Sequence, residues 1–430
     1  MSVITHRVPG LVLTDHTFTI PLDHAAPTGE PIEIFAREVV AAGREGARLP
    51  WLVFFQGGPG QESPRPAMQA GWLKRATQDY RVLLLDQRGT GRSTPVNYQT
   101  LARFPTAQAM ADYLKWFRAD SIVRDAEWIR RELVGKNEPW SALGQSYGGF
   151  CITTYLSIAP DGLEEAVITG GLPPIYHTAD EVYRSTYRTV MKKNQSYYDR
   201  YPDDVERAQA IARYLDQHQV HLPAGARLSL RRFQQLGSVF GASDGFEHVH
   251  YLLEEAFVTG ARGLELNYSF LRGVESTHNF ESNPIYALLH EPSYCQRTAS
   301  SWSAERIRAE FPEFNWTTDK PLLFTGEMVY PWMFDEYPRL QPLKQAADIL
   351  AAFADWQPLY DPEVLRANTV PCAATIYYND MYVDRVFAEE TAQTIRGLRT
   401  WVTDEYEHNA LRSDGERVLD RLLGMLHGEC

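Results

Sequence analysis

Short runs of apolar residues, most of them ending in a glycine-rich or acidic loop, alternate with longer amphipathic stretches through the first 170 residues. The residues near 107–134 follow a threonine cap, Thr106, and carry apolar residues at three- and four-residue intervals, which predicts a helix. The segment YGGFCITTYLSIA (147–159) predicts another helix. Strands that alternate with helices favour a parallel sheet with helices on both faces. Four runs predict its buried strands: LPWLVFFQ (49–56), RVLLLD (81–86), WSALGQ (140–145) and LEEAVITGG (163–171).

The alternation stops after LPP (172–174), and residues 175–318 have a mostly helical pattern rich in Tyr, Arg and Gln. We therefore predict one α/β domain, residues 1–174 and 319–430, interrupted by a helical insertion at 175–318. An insertion after the fourth predicted strand would cover the ends of the strands as a lid. The second part of the domain contains three strand-like runs and two helices, which are KPLLFTGEMVY (320–330), PCAATIYYND (371–380), a helix near 384–395, LRTWVTD (398–404) and a closing helix near 413–427.

The composition of the 430-residue chain argues against several classes of protein. Its net charge of −13 argues against a nucleic-acid partner, since phosphate binding needs a basic surface. No run approaches the length of a membrane-spanning segment, so no membrane span is expected. The start of the chain lacks a basic region, a continuous apolar core and a small-residue cleavage site, so no signal peptide is expected.

The cysteines and histidines show no spacing typical of a metal site. The histidines in HVH (248–250) lack a third ligand at a suitable distance along the chain. We expect neither a metal nor an organic cofactor. The scattered cysteines predict free thiols in a reducing compartment, and therefore a cytoplasmic protein. They are Cys151, Cys295, Cys372 and Cys430.

The heptapeptide GQSYGGF (144–150) lies between a predicted strand and a predicted helix. In α/β-hydrolases a Gly-x-Ser-x-Gly sequence at this place forms the nucleophile elbow, a sharp turn that exposes the serine hydroxyl above the sheet. Side chains at the flanking glycines would collide with the neighbouring strand or helix. The same pattern also arises by chance, so its context decides, and that context favours Ser146 as a nucleophile.

A nucleophilic serine needs a base within hydrogen-bonding reach and an acid that orients the base. α/β-Hydrolases supply them later in the chain, in the order serine, acid, histidine. His408 fits the base, because it lies between the last predicted strand and the last predicted helix. Asp380 fits the acid, because it directly ends a buried strand, whereas Asp384 and Asp404 are competing candidates.

An oxyanion formed on attack by the serine needs two fixed donors. One is the N–H of Tyr147, at the start of the helix that follows the serine. The other is expected from QGGPG (56–60), whose glycines let the backbone approach a substrate closely. Within that loop we predict the N–H of Gly58 as the donor, with Gly57 as its neighbour.

The stretch DQRGTGRS (86–93) contains glycines but is not a phosphate-binding loop, because it lacks the lysine that such loops carry. We interpret it as a structural turn beside the site. Asp86 and Arg88 are then expected to pair with neighbouring loops.

Four motifs, in this order, resemble those of the proline iminopeptidases, also called prolyl aminopeptidases: GGPG, DQRGTGRS, GQSYGGF and ITGGLPP. The chain length and FTGEMVYPWMF (324–334) resemble the larger type of that family, which has an extended lid. One position departs from the family pattern, because the common HGGPG reads QGGPG here, with Gln56 in place of histidine. The departure leaves the backbone donors of the loop in place.

The resemblance implies an α/β-hydrolase fold with an inserted, mainly helical lid, and a serine exopeptidase that releases N-terminal proline from peptides. Such substrates carry a cationic α-amine, which is costly to bury without a carboxylate partner. By resemblance, the lid side supplies Glu291 and Glu327 for the amine, and Tyr294 and Tyr330 are candidates for an apolar slot around the proline ring. The residues alone also allow each glutamate to pair with an internal arginine or a helix terminus.

Two other functions fit the same residues. An esterase or amidase for small acyl substrates would use the same catalytic groups, but it would gain nothing from paired carboxylates in the lid. A binding protein of the same fold would not need a complete triad. The predicted partners are peptides with a free N-terminal proline, and the oligomeric state is left open, a homo-oligomer included.

Overall fold

A nine-stranded sheet forms the centre of the computed structural model, which describes residues 4–261 and 263–429. The strands in this part of the chain are β1 (Ile4–Val8), β2 (Leu11–Pro21), β3 (Pro31–Ala41), β4 (Trp51–Phe55), β5 (Arg81–Leu85), β6 (Trp140–Gln145), β7 (Leu163–Thr169), β8 (Phe257–Gly260), β9 (Gly263–Leu266), β10 (Cys372–Tyr377) and β11 (Leu398–Thr403). They cross the sheet in the order β1-β2-β3-β5-β4-β6-β7-β10-β11, while β8 and β9 form a separate antiparallel hairpin.

The strands β5, β4, β6, β7, β10 and β11 are neighbours in the sheet and run parallel to one another. Each coincides with a predicted strand, so these six predictions are confirmed. The central strands are buried on both faces of the sheet. In β4, Leu52 and Phe54 belong to one apolar core, whereas Val53 and Phe55 belong to the other. Burial on both faces explains why such strands are continuous apolar runs rather than alternating ones.

The strands β1, β2 and β3 form an antiparallel ribbon, which joins the parallel strands where β3 pairs with β5. These strands were not predicted, because charged residues interrupt their apolar pattern. The charged side chains pair across the ribbon instead. Arg37 Nε donates to Asp15 Oδ1 at 2.7 Å, and His16 Nε2 lies 2.9 Å from Glu38 Oε2. Pairing of this kind allows polar residues to be buried within a sheet.

Helices cover both faces of the sheet and fill the segment between β7 and β10. The α-helices within the described residues are α1 (Gly71–Asp79), α2 (Tyr98–Leu101), α3 (Ala107–Leu114), α4 (Ala119–Leu133), α5 (Tyr147–Ile158), α6 (Ala179–Arg200), α7 (Asp204–Gln217), α8 (Leu230–Gln234), α9 (Gly245–Glu254), α10 (Tyr268–Thr277), α11 (Pro284–Leu289), α12 (Ser303–Arg308), α13 (Met333–Glu336), α14 (Lys344–Ala352), α15 (Pro362–Arg366), α16 (Arg385–Thr394), α17 (Ala410–Ser413) and α18 (Gly415–His427). Short 3-10 helices lie at Pro160–Gly162, Gln235–Val239, Glu291–Tyr294, Pro312–Phe314 and Gln341–Leu343.

The predicted helices after Ser146 and at the end of the chain correspond to α5, α16 and α18. The single helix predicted over 107–134 is instead two helices, α3 and α4. Arg118 separates them, because its backbone is extended, with φ −95° and ψ 174°. The predicted lid, residues 175–318, is helical apart from the β8–β9 hairpin and its loops.

The strand predicted over 320–330 is wrong, because no strand lies between β9 and β10 in the part of the chain that the structure describes. This stretch bonds to residues of the lid instead of a neighbouring strand. Phe324 N donates to Asn194 Oδ1 at 2.8 Å, and Thr325 N donates to the carbonyl oxygen of Gln234 at 2.8 Å. The sheet therefore resumes at Cys372, and the domain division at residue 319 stays a prediction.

Cys151, Cys295 and Cys372 are buried and free, as their spacing predicts. The fourth cysteine, Cys430, lies outside the described residues. None of the helices within residues 4–261 and 263–429 has the length and apolar character that crossing a bilayer requires.

Candidate active site

Ser146 lies in a sharp turn between β6 and α5, with φ 56° and ψ −125°. The turn requires glycine at both flanking positions. A Cβ atom on Gly144 would collide with the backbone of Gly148, and one on Gly148 would collide with the carbonyl oxygen of Phe55. Ser146 N–H donates to the carbonyl oxygen of Thr169 at 2.9 Å. The turn therefore has the geometry of a nucleophile elbow at the end of a parallel strand.

His408 and Asp380 come from the loops after β11 and β10, and both are buried. His408 Nδ1 lies 2.7 Å from Asp380 Oδ2. The other oxygen of Asp380 accepts from the N–H groups of Tyr382 at 2.8 Å and Val383 at 3.1 Å. These bonds fix the carboxylate, which in turn orients the imidazole ring. Asp384, a competing candidate for the acid, caps the start of α16 instead.

One loop brings the serine and the histidine to the same edge of the sheet. It follows β7, and its Gly171 packs so closely on Ser146 that a Cβ atom there would meet the Ser146 carbonyl oxygen. A Cβ atom on Gly170, one residue earlier, would lie 3.2 Å from His408 Nδ1. Ser146 and His408 therefore both lie against this loop, at the same edge of the sheet.

The electrostatic surroundings of His408 favour its protonated form. Burial by itself lowers the pKa of His408, but the charge of Asp380 and its hydrogen bond outweigh burial and hold the pKa above the ordinary value of 6.5. The charges of Glu327 and Glu407 act in the same direction. The ring is thus surrounded by carboxylates, which stabilise the charge that it gains when it takes up a proton.

The loop QGGPG passes directly beside the serine, since a Cβ atom on Gly57 would lie 3.0 Å from the Ser146 Cβ atom. The N–H of Gly57 donates to Gln56 Oε1 at 3.0 Å, so it is already engaged. Gly58 follows with φ 128°, a conformation that favours glycine. Tyr147 is the first residue of α5, and its N–H has no carbonyl partner one turn earlier in that helix. The N–H groups of Gly58 and Tyr147 therefore suit an oxyanion better than that of Gly57.

Glu327 lies beneath the lid among aromatic rings. Its Oε2 accepts from the hydroxyl of Tyr286 at 3.1 Å, and its Oε1 lies 3.4 Å from His290 Nε2. The other ring nitrogen of His290 lies 3.1 Å from the hydroxyl of Tyr183. The Glu327 side chain is 18% exposed, so the carboxylate is largely buried but not closed off. It has no arginine or lysine among these contacts.

Glu291 is bound differently from Glu327. Its two carboxylate oxygens accept from the N–H groups of Ser303 at 3.1 Å and Ala304 at 2.8 Å, at the start of α12. Burial raises the pKa of Glu291 against these hydrogen bonds. The structure thus places Glu291 at a helix terminus, which is the alternative that the residues alone allowed.

The structure brings only one of the two predicted tyrosines to the site. Tyr294 packs edge-on against Phe150 at 6.0 Å and lines a small cavity with Leu172. Tyr330 is instead buried against helix α6 of the lid, where its hydroxyl is 2.9 Å from that of Tyr187 and burial raises its pKa to about 12. Tyr330 is not among the residues that line the cavity with Tyr294, so the structure does not support its place in the predicted slot.

Sequence reasoning missed Tyr286 and His290, which contact Glu327. Their four-residue spacing across α11 and its end was a signal, because residues at that spacing share a helix face. Their rings stack at 4.7 Å. Aromatic residues are common enough in this chain that the spacing alone did not single them out.

The other sequence motifs are structural. Asp86 accepts from Arg65 Nη1 of a neighbouring loop at 2.9 Å, as predicted. Arg88 instead forms its ion pair with Asp125 of helix α4, and it donates to the carbonyl oxygens of Leu22 at 2.8 Å and Trp116 at 2.7 Å in neighbouring loops. In the HVH motif, His250 Nδ1 lies 2.9 Å from an oxygen of Asp204. Within the described ranges, no three His, Cys, Asp or Glu side chains are placed to hold a metal ion.

Comparison with known proteins gives four results. Residues 50–237 match the family model of the alpha/beta hydrolase fold. The chain is 49% identical over 430 residues to a proline iminopeptidase of Aeromonas sobria, with 100% of both chains covered. It is 34% identical over 429 residues to a proline iminopeptidase of Aspergillus aculeatus, with 98% of this chain and 95% of that protein covered. A crystal structure of proline iminopeptidase from Mycobacterium smegmatis matches at 14% identity with a TM-score of 0.47, covering 96% of this chain and 98% of that one.

Proposed function

The chain belongs to the proline iminopeptidases, a family with the α/β-hydrolase fold, and from that premise we propose that Ser146, His408 and Asp380 carry out the release of N-terminal proline from peptides. The predicted fold, family and enzyme class are confirmed by the family model and by these relatives. The substrate is a peptide with a free N-terminal proline, and the products are proline and the shortened peptide.

The proposed reaction is acyl transfer through the serine. Ser146 Oγ attacks the carbonyl carbon of the N-terminal proline while His408 Nε2 takes up the hydroxyl proton. His408 then gives this proton to the leaving nitrogen, so the peptide bond breaks and a prolyl ester of Ser146 forms. Water gives a proton to His408 as it attacks the ester, and His408 passes that proton to Ser146 Oγ as the ester bond breaks and proline leaves. Asp380 keeps the proton on Nδ1 and stabilises the charged ring.

The developing oxyanion accepts hydrogen bonds from the N–H groups of Gly58 and Tyr147. Each such donor contributes about 3–4 kcal/mol to the stability of the transition state. Gln56, which stands where the family commonly has histidine, holds the Gly57 N–H at 3.0 Å. In this proposal Gln56 shapes the loop while Gly58 makes the contact with the substrate.

Glu327 receives the cationic amine of the N-terminal proline. The single observation that carries this proposal is the position of its carboxylate, which lies under the lid, bonds to Tyr286 and acts electrostatically on His408. A carboxylate whose charge acts on the reacting histidine is suited to a substrate whose positive charge is one residue from the scissile bond. We propose Glu327 rather than Glu291 as the main contact, because backbone N–H groups already occupy both oxygens of Glu291.

The proline ring contacts the apolar side chains beside the elbow helix, at a cavity that has room for about one water molecule in this structure. Phe150 comes from α5 and Tyr294 from the lid, and Leu172 closes the cavity from the loop after β7. These side chains offer apolar surface to a small saturated ring. Together with the carboxylate of Glu327, they leave room for only one residue between the bound amine and the scissile bond, which makes the enzyme an exopeptidase.

Prolyl-naphthylamide with a free amine, and the same compound with an acetylated amine, test the proposal. We expect fast release of naphthylamine from the free form and hardly any from the acetylated form, since acetylation removes the positive charge. Glu327→Gln should lower kcat/KM for the free form by about 100-fold, the cost of leaving one partner of a buried charge pair alone. Glu310→Gln is the control, because Glu310 is also a lid carboxylate but pairs with Arg184 at the surface. Equal rates on the free and acetylated compounds would contradict the proposal.

We also propose a cytoplasmic location. The described cysteines are free thiols, as expected in a reducing compartment. Fractionation of the producing cells tests this, and recovery of the protein with the secreted fraction would contradict it.

A further inference from the structure

The loop between β11 and α17 carries His408, and the lid segment holds this loop at successive residues. Lys193 Nζ of α6 lies 2.6 Å from Glu407 Oε1. The N–H of His408 donates to the carbonyl oxygen of Gly241 at 3.1 Å. The backbone position of the catalytic base is thus set by contacts with the lid as well as by the sheet.

The contacts continue on both sides of the histidine. Asn409 Oδ1 accepts from the N–H and from the hydroxyl of Ser243, at 3.0 Å in each case. On the neighbouring loop, the hydroxyl of Tyr382 donates to the carbonyl oxygen of Ser238 at 2.5 Å. Both loops that supply the triad after Ser146 therefore rest on the same part of the lid.

Among these contacts between the lid and the triad loops, the one between Lys193 and Glu407 is an ion pair. The Lys193 side chain is only 8% exposed, and the second oxygen of Glu407 is buried without a hydrogen-bond partner in the described structure. The Glu407 side chain is 30% exposed, so the ion pair is only partly buried, but breaking it from the Glu407 side leaves the nearly buried charge of Lys193 without its partner. The pair also borders a polar cavity whose charged lining is Lys192, Lys193, Arg200, Asp380, Asp384, Arg385 and Glu407.

We propose that Lys193 and Glu407 are positioning residues for the reaction, and that their ion pair fixes the loop in which His408 acts as the base. The lid then does more than cover the substrate, since it also completes the geometry of the triad. This inference rests on the proposed function of His408 as the catalytic base.

Because Glu407 is charged, the proposal also predicts a change in the pH dependence of kcat/KM. Glu407 stands next to His408 in the chain and, with Asp380 and Glu327, raises the pKa of the imidazole. The charged groups that face Glu407 itself are Lys193, Asp380 and His408. Replacing Glu407 by glutamine keeps its shape and removes one of the three carboxylates, so the pKa of His408 should fall.

The test compares Glu407→Gln, Lys193→Met and the double variant, with prolyl-naphthylamide as substrate and the fold checked by thermal unfolding. We expect kcat to fall between about 10- and 100-fold in each single variant, because a small misplacement of a catalytic group has effects of this size. KM should change little, since the amine contact lies elsewhere. The double variant should be no worse than the single ones, because the two residues act as one unit. In Glu407→Gln, the acid limb of kcat/KM should also move to lower pH.

Arg184→Met is the matched control. Arg184 lies on the same helix as Lys193 and pairs with Glu310, but that pair is far from the loop of His408 in the chain and more exposed. Its kcat and pH profile should equal those of the unchanged protein. If the two main variants fail to fold, Ser243→Ala serves instead, with a few-fold lower kcat and unchanged KM expected.

Unchanged kcat in the folded variants would overturn the proposal. A lower kcat with an unmoved acid limb in Glu407→Gln would also overturn it, because such a result shows a merely structural contact. Failure of the proposed function is a separate outcome, since the unchanged protein would then not release proline at all.

Discussion

The edge of the sheet and the lid above it hold their polar groups in different ways. At the sheet edge the backbone sets the geometry. Ser146 adopts φ 56° because the glycines around it let a strand and a helix approach without a collision. Little side-chain packing is needed to present its hydroxyl. The feature is therefore local, and a short stretch of sequence is enough to encode it.

In the lid and in the segment directly beneath it, contacts between distant side chains set the geometry. Glu291 and Glu327 both lie among apolar neighbours, but Glu291 caps α12 and Glu327 faces the rings of Tyr286 and His290. No local pattern distinguishes these two carboxylates, because the groups that bind them come from elsewhere in the chain. The comparison teaches that a catalytic group fixed by the backbone can be recognised in a sequence, whereas one fixed by a side-chain network needs the fold.

The largest effect that separates the two regions is expected from Ser146→Ala. Because the turn is made by the backbone and its glycines, removing the hydroxyl should leave the free energy of unfolding within about 1 kcal/mol of the original value. Loss of the nucleophile should lower kcat by at least about 10⁴-fold. Naphthylamine release and thermal unfolding measure the two quantities. An active variant would show that another group attacks the substrate.

The next largest effect is expected from Gly148→Ala, which disturbs the backbone packing of the turn instead of removing the hydroxyl. The added Cβ atom would collide with the carbonyl oxygen of Phe55, so strand β4 and helix α5 would have to separate. We expect the unfolding free energy to fall by about 3 kcal/mol or more, with activity lost as the elbow changes shape. Denaturant unfolding measures this loss.

Gly46→Ala is the control for that experiment, because a Cβ atom there meets nothing within 4 Å. Its stability should stay within about 0.5 kcal/mol of the original value. Equal effects of the two substitutions would show that the elbow does not depend on close backbone packing.

The same contrast explains how far the sequence predicts this molecule. The six parallel strands and the elbow are predictable, since both depend on short apolar runs and on glycines at fixed positions. The contact of Asp380 with His408 follows from where each stands relative to a strand end. The N-terminal ribbon was missed because pairs such as Asp15 and Arg37 place charges inside it. The strand expected over 320–330 was wrong, since Asn194 and Gln234 of the lid take its backbone hydrogen bonds.

A smaller effect is expected from Glu291→Gln, and it concerns stability rather than catalysis. Glutamine has one acceptor oxygen where the carboxylate has two, so one N–H at the start of α12 loses its partner. An unsatisfied buried donor costs about 1–3 kcal/mol, and the unfolding free energy should fall by that amount. Thermal unfolding gives the stability, and kcat/KM for the free prolyl substrate should stay within a few-fold of the original. A large loss of activity at unchanged stability would instead place Glu291 at the substrate.

The smallest effect is a displacement of the pH profile, and it compares Glu291 of the lid directly with Glu327 beneath it. His408 must be neutral to accept the proton of Ser146, so kcat/KM falls as the pH drops through the pKa of the imidazole. Because the charges around it hold this pKa above 6.5, the acid limb should lie above pH 6.5 in the unchanged protein.

The charge of Glu327 contributes to that elevation of the His408 pKa, so Glu327→Gln should move the acid limb to lower pH. In Glu291→Gln the limb should stay in place, because that carboxylate is bound at the helix terminus. Profiles of kcat/KM on prolyl-naphthylamide measure both displacements, and a limb that moves in Glu291→Gln but not in Glu327→Gln would reverse the assignment of the two carboxylates.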